Sequence, residues 1–283
     1  MSLRGRAARL LEKAGRGHLL ALDYPIRPEP RYGYGKPAHP VLAEMIEHER
    51  DAIRTMVESW ELLEPAFRRI SIHDAGDARA PYWVNGWLPA VDLAALFGYI
   101  ATGNPKRYVE IGSGQSTKVA RRAIEDAGLT TSITSIDPHP RTEIDAICDR
   151  MMRVGLEHAE LAVFRDLQAG DIVFLDGSHR CFTNSDVAVF FLDILPQLAP
   201  GVLVQVHDVY LPFDYPRELT GRYYSEQYLL AVYLLASASA RIVLPNAWIS
   251  HDAEMSAILK RFWDTPGLEG LERWGASFWF RTG

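Results

Sequence analysis

Asp176-Gly177-Ser178-His179 and His207-Asp208 each stand directly behind a short apolar run, at residues 172–175 and 201–206. Buried strands deliver their terminal side chains with little positional spread, so two carboxylates and two imidazoles on neighbouring strand ends are expected to meet. Such a set could hold a hard divalent cation through its oxygens, or pass a proton through an imidazole. The same residue types also cap turns and satisfy buried hydrogen bonds at sites that do neither. A second group lies upstream, where residues 107–124 read RYVEIGSGQSTKVARRAI. A strand that turns through Gly112-Ser113-Gly114, past Gln115 and Ser116, into a helix expected from Thr117 lets a ligand approach the backbone and meet the helix's positive end. Glu110, just ahead of the glycines, suits a ligand with a cationic end such as an amino group. Asp137 follows the next apolar run and could accept both hydroxyls of a ribose or cap a turn before Pro138.

The elements that must position these groups alternate from Lys106 onward. Strands are expected at residues 108–111, 132–136, 150–155, 172–175, 201–206, 241–244 and 277–281. Helices are expected at 117–127, 141–149, 161–167, 185–195 and 225–237. That alternation predicts a doubly wound α/β fold: a mostly parallel seven-stranded sheet with helices on both faces. In such sheets ligands sit beyond the carboxyl ends of the strands, where both groups of residues would converge. Ahead of the sheet, residues 41–63 and 91–102 show helical periodicity. Residues 24–40 read as an extended ordered arm, and 70–87 as an irregular aromatic stretch. The division expected is an N-terminal arm with helices over 1–87 and a ligand-binding domain over 88–283. Tyr32, Tyr34, Trp83 and Trp87 would form a lid or cover a sheet edge. Tyr210, Phe213, Asp214 and Tyr215, after the fifth strand, would wall an acceptor.

Composition removes several classes. The 283 residues carry a net charge of −6, which argues against a nucleic-acid partner. The two cysteines, Cys148 and Cys181, form no C-x-x-C and read as structural thiols of a reducing, cytoplasmic compartment. No apolar run approaches the ~20 residues that span a bilayer, so no membrane partner is expected. The basic start (Arg4, Arg6, Arg9, Lys13, Arg16) lacks the apolar core of a signal peptide and reads as an amphipathic helix.

Taken together, Glu110-Ile111-Gly112-Ser113-Gly114-Gln115-Ser116-Thr117, Asp137-Pro138-His139-Pro140, Gly170–His179 and Pro200-Gly201 with His207-Asp208 resemble the class I S-adenosylmethionine-dependent methyltransferases. The resemblance runs from about Trp83 to Arg281. Within that class they are similar to the metal-dependent macrolide-sugar and catechol O-methyltransferases. It implies a Rossmann-like methyltransferase fold. It further implies S-adenosylmethionine bound by Glu110, Gly112, Ser113, Gly114, Gln115, Ser116, Asp137 and Asp176. A divalent metal at Asp176, His207 and Asp208 and a small hydroxylated acceptor, sugar-like or phenolic, are implied too, with His179 as base and His207 as a second catalytic candidate. The relatives usually have an acid at the position of His207. That departure opens the metal to manganese, iron or zinc besides magnesium, or leaves His207 a base without a metal. Homo-oligomerisation is left open. Two other classes compete: a non-catalytic S-adenosylmethionine-binding protein, and an NAD-dependent oxidoreductase. The latter is opposed by the missing third glycine of G-x-G-x-x-G, because Gly114 is followed by Gln115-Ser116-Thr117, and by Glu110, which would repel a pyrophosphate.

Overall fold

Short runs of β-branched and aromatic residues make the strands of a single sheet: β1 (Arg107–Ile111), β2 (Ser132–Ile136), β3 (Arg150–Met152), β4 (Ile172–Leu175), β5 (Leu203–Val206), β6 (Arg241–Pro245) and β7 (Phe278–Arg281). The structure is a computed structural model that describes residues 25–264 and 266–283. β4 and β5 are buried along their whole length, as strands covered on both faces must be. The spatial order is β3-β2-β1-β4-β5-β7-β6. β1 to β5 pair in parallel, and β7 runs antiparallel to both β5 and β6. The chain winds outward from β1 to β3, then crosses back to lay β4 on the other side of β1. This reversal opens a crevice between the carboxyl ends of β1 and β4, and the expected doubly wound, mostly parallel seven-stranded sheet is the one found.

Among the helices are α1 (Pro40–His48), α2 (Arg50–Ser59), α3 (Ala90–Gly103), α4 (Gln115–Asp126), α5 (Asp186–Val189), α6 (Glu226–Ala236), α7 (Asn246–His251) and α8 (Ala253–Trp263). α3 is apolar nearly all round and buried from Ala90 to Ile100, as a helix enclosed by its neighbours must be. Leu42, Ile46, Ile53 and Val57 of the first two helices belong to the same buried cluster as the strands, so the core is continuous across residue 87. No described helix is long and apolar enough to cross a membrane.

Several local expectations change: the strand expected over 150–155 ends at Met152, and the helix expected over 161–167 is the single turn Ala162–Arg165. The periodicity over 41–63 breaks at Glu49, whose backbone leaves the helix (φ −97°, ψ 4°). There Arg50 turns to bind Asp252 at 2.7 Å and Glu254 at 3.0 Å. The helix expected over 141–149 is only a 3₁₀ turn at Asp145–Ile147. Arg121 captures the Ile147 carbonyl at 2.8 Å, and Asp149 accepts the Ile133 amide at 2.8 Å, so the segment's polar groups are spent on α4 and β2. The helix expected over 185–195 starts as α5 and widens into a π turn at Phe190–Ile194. Pro196, which has no N–H to continue the ladder, then imposes a 3₁₀ end. Finally, α7 and α8 were not anticipated. The signal was present: Asp252 caps α8 by accepting the Glu254 and Met255 amides, each at 3.1 Å, ahead of Met255, Ile258, Leu259 and Phe262 at helical spacing.

The aromatic residues ahead of the sheet divide three ways. Trp83 is core, 2% exposed, its indole donating to the Phe67 carbonyl at 3.3 Å. Tyr32 and Tyr34 hold the segment after β5: Asp214 accepts the Tyr32 amide at 3.0 Å, and the Tyr34 hydroxyl donates to the Asp214 carbonyl at 3.0 Å. Trp87 alone of the four lines the crevice. Of the two thiols, Cys148 is half-buried and Cys181 exposed, and both are free. The helix expected from the basic start lies outside the described residues, as does Tyr24, the first residue of the expected arm.

Candidate active site

β1 ends at Ile111, and the chain must reverse sharply to start α4. Gly112 does this at φ +79°, a conformation L side chains rarely adopt. A Cβ there would also lie 1.8 Å from the Asp176 carbonyl oxygen, so the tip of β1 touches the tip of β4 only because residue 112 has no side chain. The Asp176 amide in turn donates to the Ile111 carbonyl at 2.8 Å. Gly114 caps α4, with its amide donating to the Thr117 hydroxyl at 3.0 Å. Asp137 accepts the Ser113 amide at 2.8 Å through one oxygen and the His139 amide at 2.7 Å through the other. Each oxygen keeps a second lone pair for a ligand.

These tips frame a cleft of about 1290 Å³. Gly112, Ser113, Gly114, Gln115, Ser116, Asp137 and Asp176 all line it, as the sequence suggested. Leu156 after β3, Arg141 and Trp87 complete it, the Arg141 guanidinium lying 4.3 Å from the Trp87 ring centre. Glu110 is the exception. It is 0% exposed and does not line the cleft. The Tyr108 hydroxyl donates to one of its oxygens at 2.8 Å, and the Thr117 hydroxyl to the other. Burial pushes its pKa up to about 7 against those hydrogen bonds. Glu110 therefore ties β1 to the first turn of α4.

Beside the cleft, at the tips of β4 and β5, the expected meeting occurs, although His179, His207 and Asp208 do not themselves line the cleft. His179, at φ +62°, and Asp208, at φ +53°, are held in left-handed backbone that costs of order 1 kcal/mol or more each. His179 Nε2 stands 3.3 Å from Asp176 and 3.6 Å from Asp208. His207 Nδ1 stands 3.7 Å from Asp176 and 3.6 Å from Asp208. The outward nitrogens meet two carboxylates that sequence reasoning missed. His179 Nδ1 lies 2.5 Å from Glu226 of α6, and His207 Nε2 lies 3.3 Å from Asp92 of α3. Both acids are buried. Asp92 is further fixed by the Ala276 and Ser277 amides at 2.9 Å and the Asn246 side chain at 2.7 Å. An acid inside an otherwise apolar helix was the available signal for each.

Burial disfavours an imidazolium, yet Glu226 and Asp176 push His179 up to about 12, and Asp176, Asp92 and Asp208 push His207 up to about 9. Burial would raise Asp176, but His207 and His179 hold it down at about 2. Burial lifts Glu226 to about 7 against its histidine partner. The neighbouring carboxylates thus favour the protonated form of both imidazoles. Among the described residues no group of three or more His, Cys, Asp or Glu side chains is arranged to hold a metal ion. Asp176, His207 and Asp208 come together, but as an ion-pair cluster that does not fit the divalent metal expected of them. Tyr210, Phe213, Asp214 and Tyr215 do not line this cleft, and Tyr215 is buried.

Against this geometry stand the likenesses to other proteins. Residues 109–209, from inside β1 to just past β5, match the family profile described as a methyltransferase domain. No curated protein matches the chain. Among solved structures, the SAH-bound methyltransferase PaMTH1 of Podospora anserina shares 13% identity, with 89% of this chain and 100% of that chain covered and a TM-score of 0.42. An O-methyltransferase from Bacillus cereus in complex with SAH shares 15%, covering 81% and 91%, with a TM-score of 0.35. The O-methyltransferase TomG of Streptomyces achromogenes, in complex with SAM, shares 13%, covering 87% and 99%, with a TM-score of 0.33. At such scores these neighbours carry no argument. The parallel part of the sheet, which contains every strand that frames the crevice, is what resembles a methyltransferase domain.

Proposed function

We propose that the chain transfers the methyl group of S-adenosylmethionine to a hydroxyl of a small acceptor. One observation carries this reading: Asp176 belongs at once to the cleft behind the glycine turn and to the histidine–carboxylate cluster. A cofactor in the cleft and an acceptor at the cluster would meet at its side chain. The glycine turn leaves the backbone bare for the cofactor, and Asp137 is placed to accept the ribose hydroxyls. The methyltransferase-domain match over the same residues supports the cofactor class.

The chemistry asked of the protein is modest. In an in-line displacement the sulfonium's S–CH₃ bond breaks, sulfur keeps the electron pair, and the new O–CH₃ bond forms as the acceptor oxygen loses its proton. Holding donor and acceptor in line supplies a large part of the barrier reduction. Asp208 and Asp176 would orient the hydroxyl, and the proton would enter a cluster of four carboxylates and two imidazoles that titrates as a unit. Glu226 has room for it near neutrality, because burial brings its pKa to about 7. No step is routed through a metal. The test is a calorimetric titration with S-adenosylhomocysteine in competition with NADH. Micromolar binding of the former is expected; preferential binding of NADH would sink the reading. An acceptor screen with and without chelator then separates hydroxyl from nitrogen acceptors and checks metal independence.

A further inference from the structure

The methionine end of the cofactor carries an α-ammonium and an α-carboxylate, and Glu110, sealed by Tyr108 and Thr117, does not line the cleft. The cleft instead presents a cation. Lys118 sits in the first turns of α4, lines the cleft and is only 4% exposed. Among the described residues its ammonium has no hydrogen-bond or ion-pair partner. Its stem is buried and its ammonium meets the cleft without a counter-ion, and a charge kept in so enclosed a place wants an anion from outside. The turn where it sits adds to this, since the first amides of a twelve-residue helix point at the same space with the positive end of its dipole. Gln115, one turn earlier on the same face, also lines the cleft and buries a side-chain oxygen that has no partner. A cation and an unused acceptor side by side are complementary to an amino-acid zwitterion.

We infer that Lys118 binds the α-carboxylate of the cofactor's methionine moiety, with Gln115 beside it for the ammonium. This rests on the cofactor reading above and adds to it a residue and a charge: the amino-acid end is gripped by its carboxylate from α4 rather than by its ammonium from β1. Lys118 would then discriminate S-adenosylmethionine and S-adenosylhomocysteine from nucleosides that lack an amino-acid tail.

The experiment is calorimetry on the full chain with two probes, S-adenosylhomocysteine and 5′-methylthioadenosine, which has no amino-acid end. Lys118→Met should weaken the first at least ten-fold and leave the second within two-fold of wild type, while Lys118→Arg should retain most of the affinity for both. Equal loss with both probes, or no loss with the first, overturns the assignment. Wild-type protein that binds neither probe removes the cofactor reading, and this inference with it. Thermal unfolding guards against a fold defect: deleting an unpartnered charge should leave the ligand-free Lys118→Met variant at or above the wild-type Tm. A decarboxylated analogue of S-adenosylhomocysteine gives the same answer on unmodified protein. It should bind wild type at least ten-fold more weakly than the parent compound, and equal affinity would exclude a carboxylate clamp.

Discussion

The two ends of the crevice are built on opposite plans. At β1 and β2 the working surface is backbone: Gly112 and Gly114 leave the main chain uncovered by side chains, the Gly112, Ser113 and Gly114 amides donate to the Ile136 carbonyl, Asp137 and Thr117, and Asp137 braces the turn through main-chain N–H groups. At β4 and β5 it is side chain: two imidazoles and two carboxylates face one another, each imidazole anchored behind by a further buried acid. The backbone end is rigid because local geometry leaves it one conformation. The side-chain end is rigid because helices distant in sequence close around it. The first plan suits a constant ligand, and the second a proton whose position must change.

If the division of labour holds, His179→Ala should cost the most. Turnover should fall about 100- to 10,000-fold, the usual range for losing a proton-transfer group, while calorimetry shows S-adenosylhomocysteine affinity within two-fold of wild type. A matching loss of affinity would merge the two ends into one site. Gly112→Ala should break the other end. Forced left-handed backbone and a Cβ driven into the Asp176 carbonyl together cost roughly 3 kcal/mol or more, read as a lower urea midpoint. An unchanged midpoint would mean that the contact between the strand tips is not obligatory.

Asp137→Ala sharpens the comparison further. Losing a charged acceptor should weaken S-adenosylhomocysteine by about ten- to a hundred-fold; an effect confined to turnover would place Asp137 with the proton-handling end. The smallest effect concerns the acid between the two ends. Burial raises Glu110 from 4.5 to about 7, so its contribution to stability is fully present below pH 4.5 and lost as pH rises through 7. Wild-type Tm should therefore decline across that window, and Glu110→Gln should flatten the decline by a few degrees. Glu226 and His207 are also raised, so some slope should survive in the variant. A Tm that climbs with pH would contradict the sealed environment of Glu110.

Much of the backbone end was legible in the sequence. Gly112 and Gly114 between an apolar run and a helical one can hardly do anything else, and strand β2 falls at residues 132–136 as read. These features depend on neighbours in the chain, through φ/ψ limits and period-2 or period-3.6 patterning. The side-chain end was half legible: Asp176, His179, His207 and Asp208 could be named, and their convergence foreseen, from the strand-end rule. Their charge state could not, because it is set by Asp92 and Glu226, which α3 and α6 bring in from far along the chain. Glu110 shows the converse, an acid in a ligand-binding position by sequence that Tyr108 and Thr117 turn into a brace. Lys118 belongs to the same lesson: as one basic residue in KVARR it is unremarkable, and only the residues that pack around α4 bury its stem and leave its ammonium, among the described residues, without a partner. The sequence by itself determined the strands, the turn, the parallel sheet and the identity of the chemical groups, because these follow from local backbone sterics and hydrophobic periodicity. Tertiary structure alone decided which acid meets which base, since burial and distance set protonation, and both belong to the folded chain.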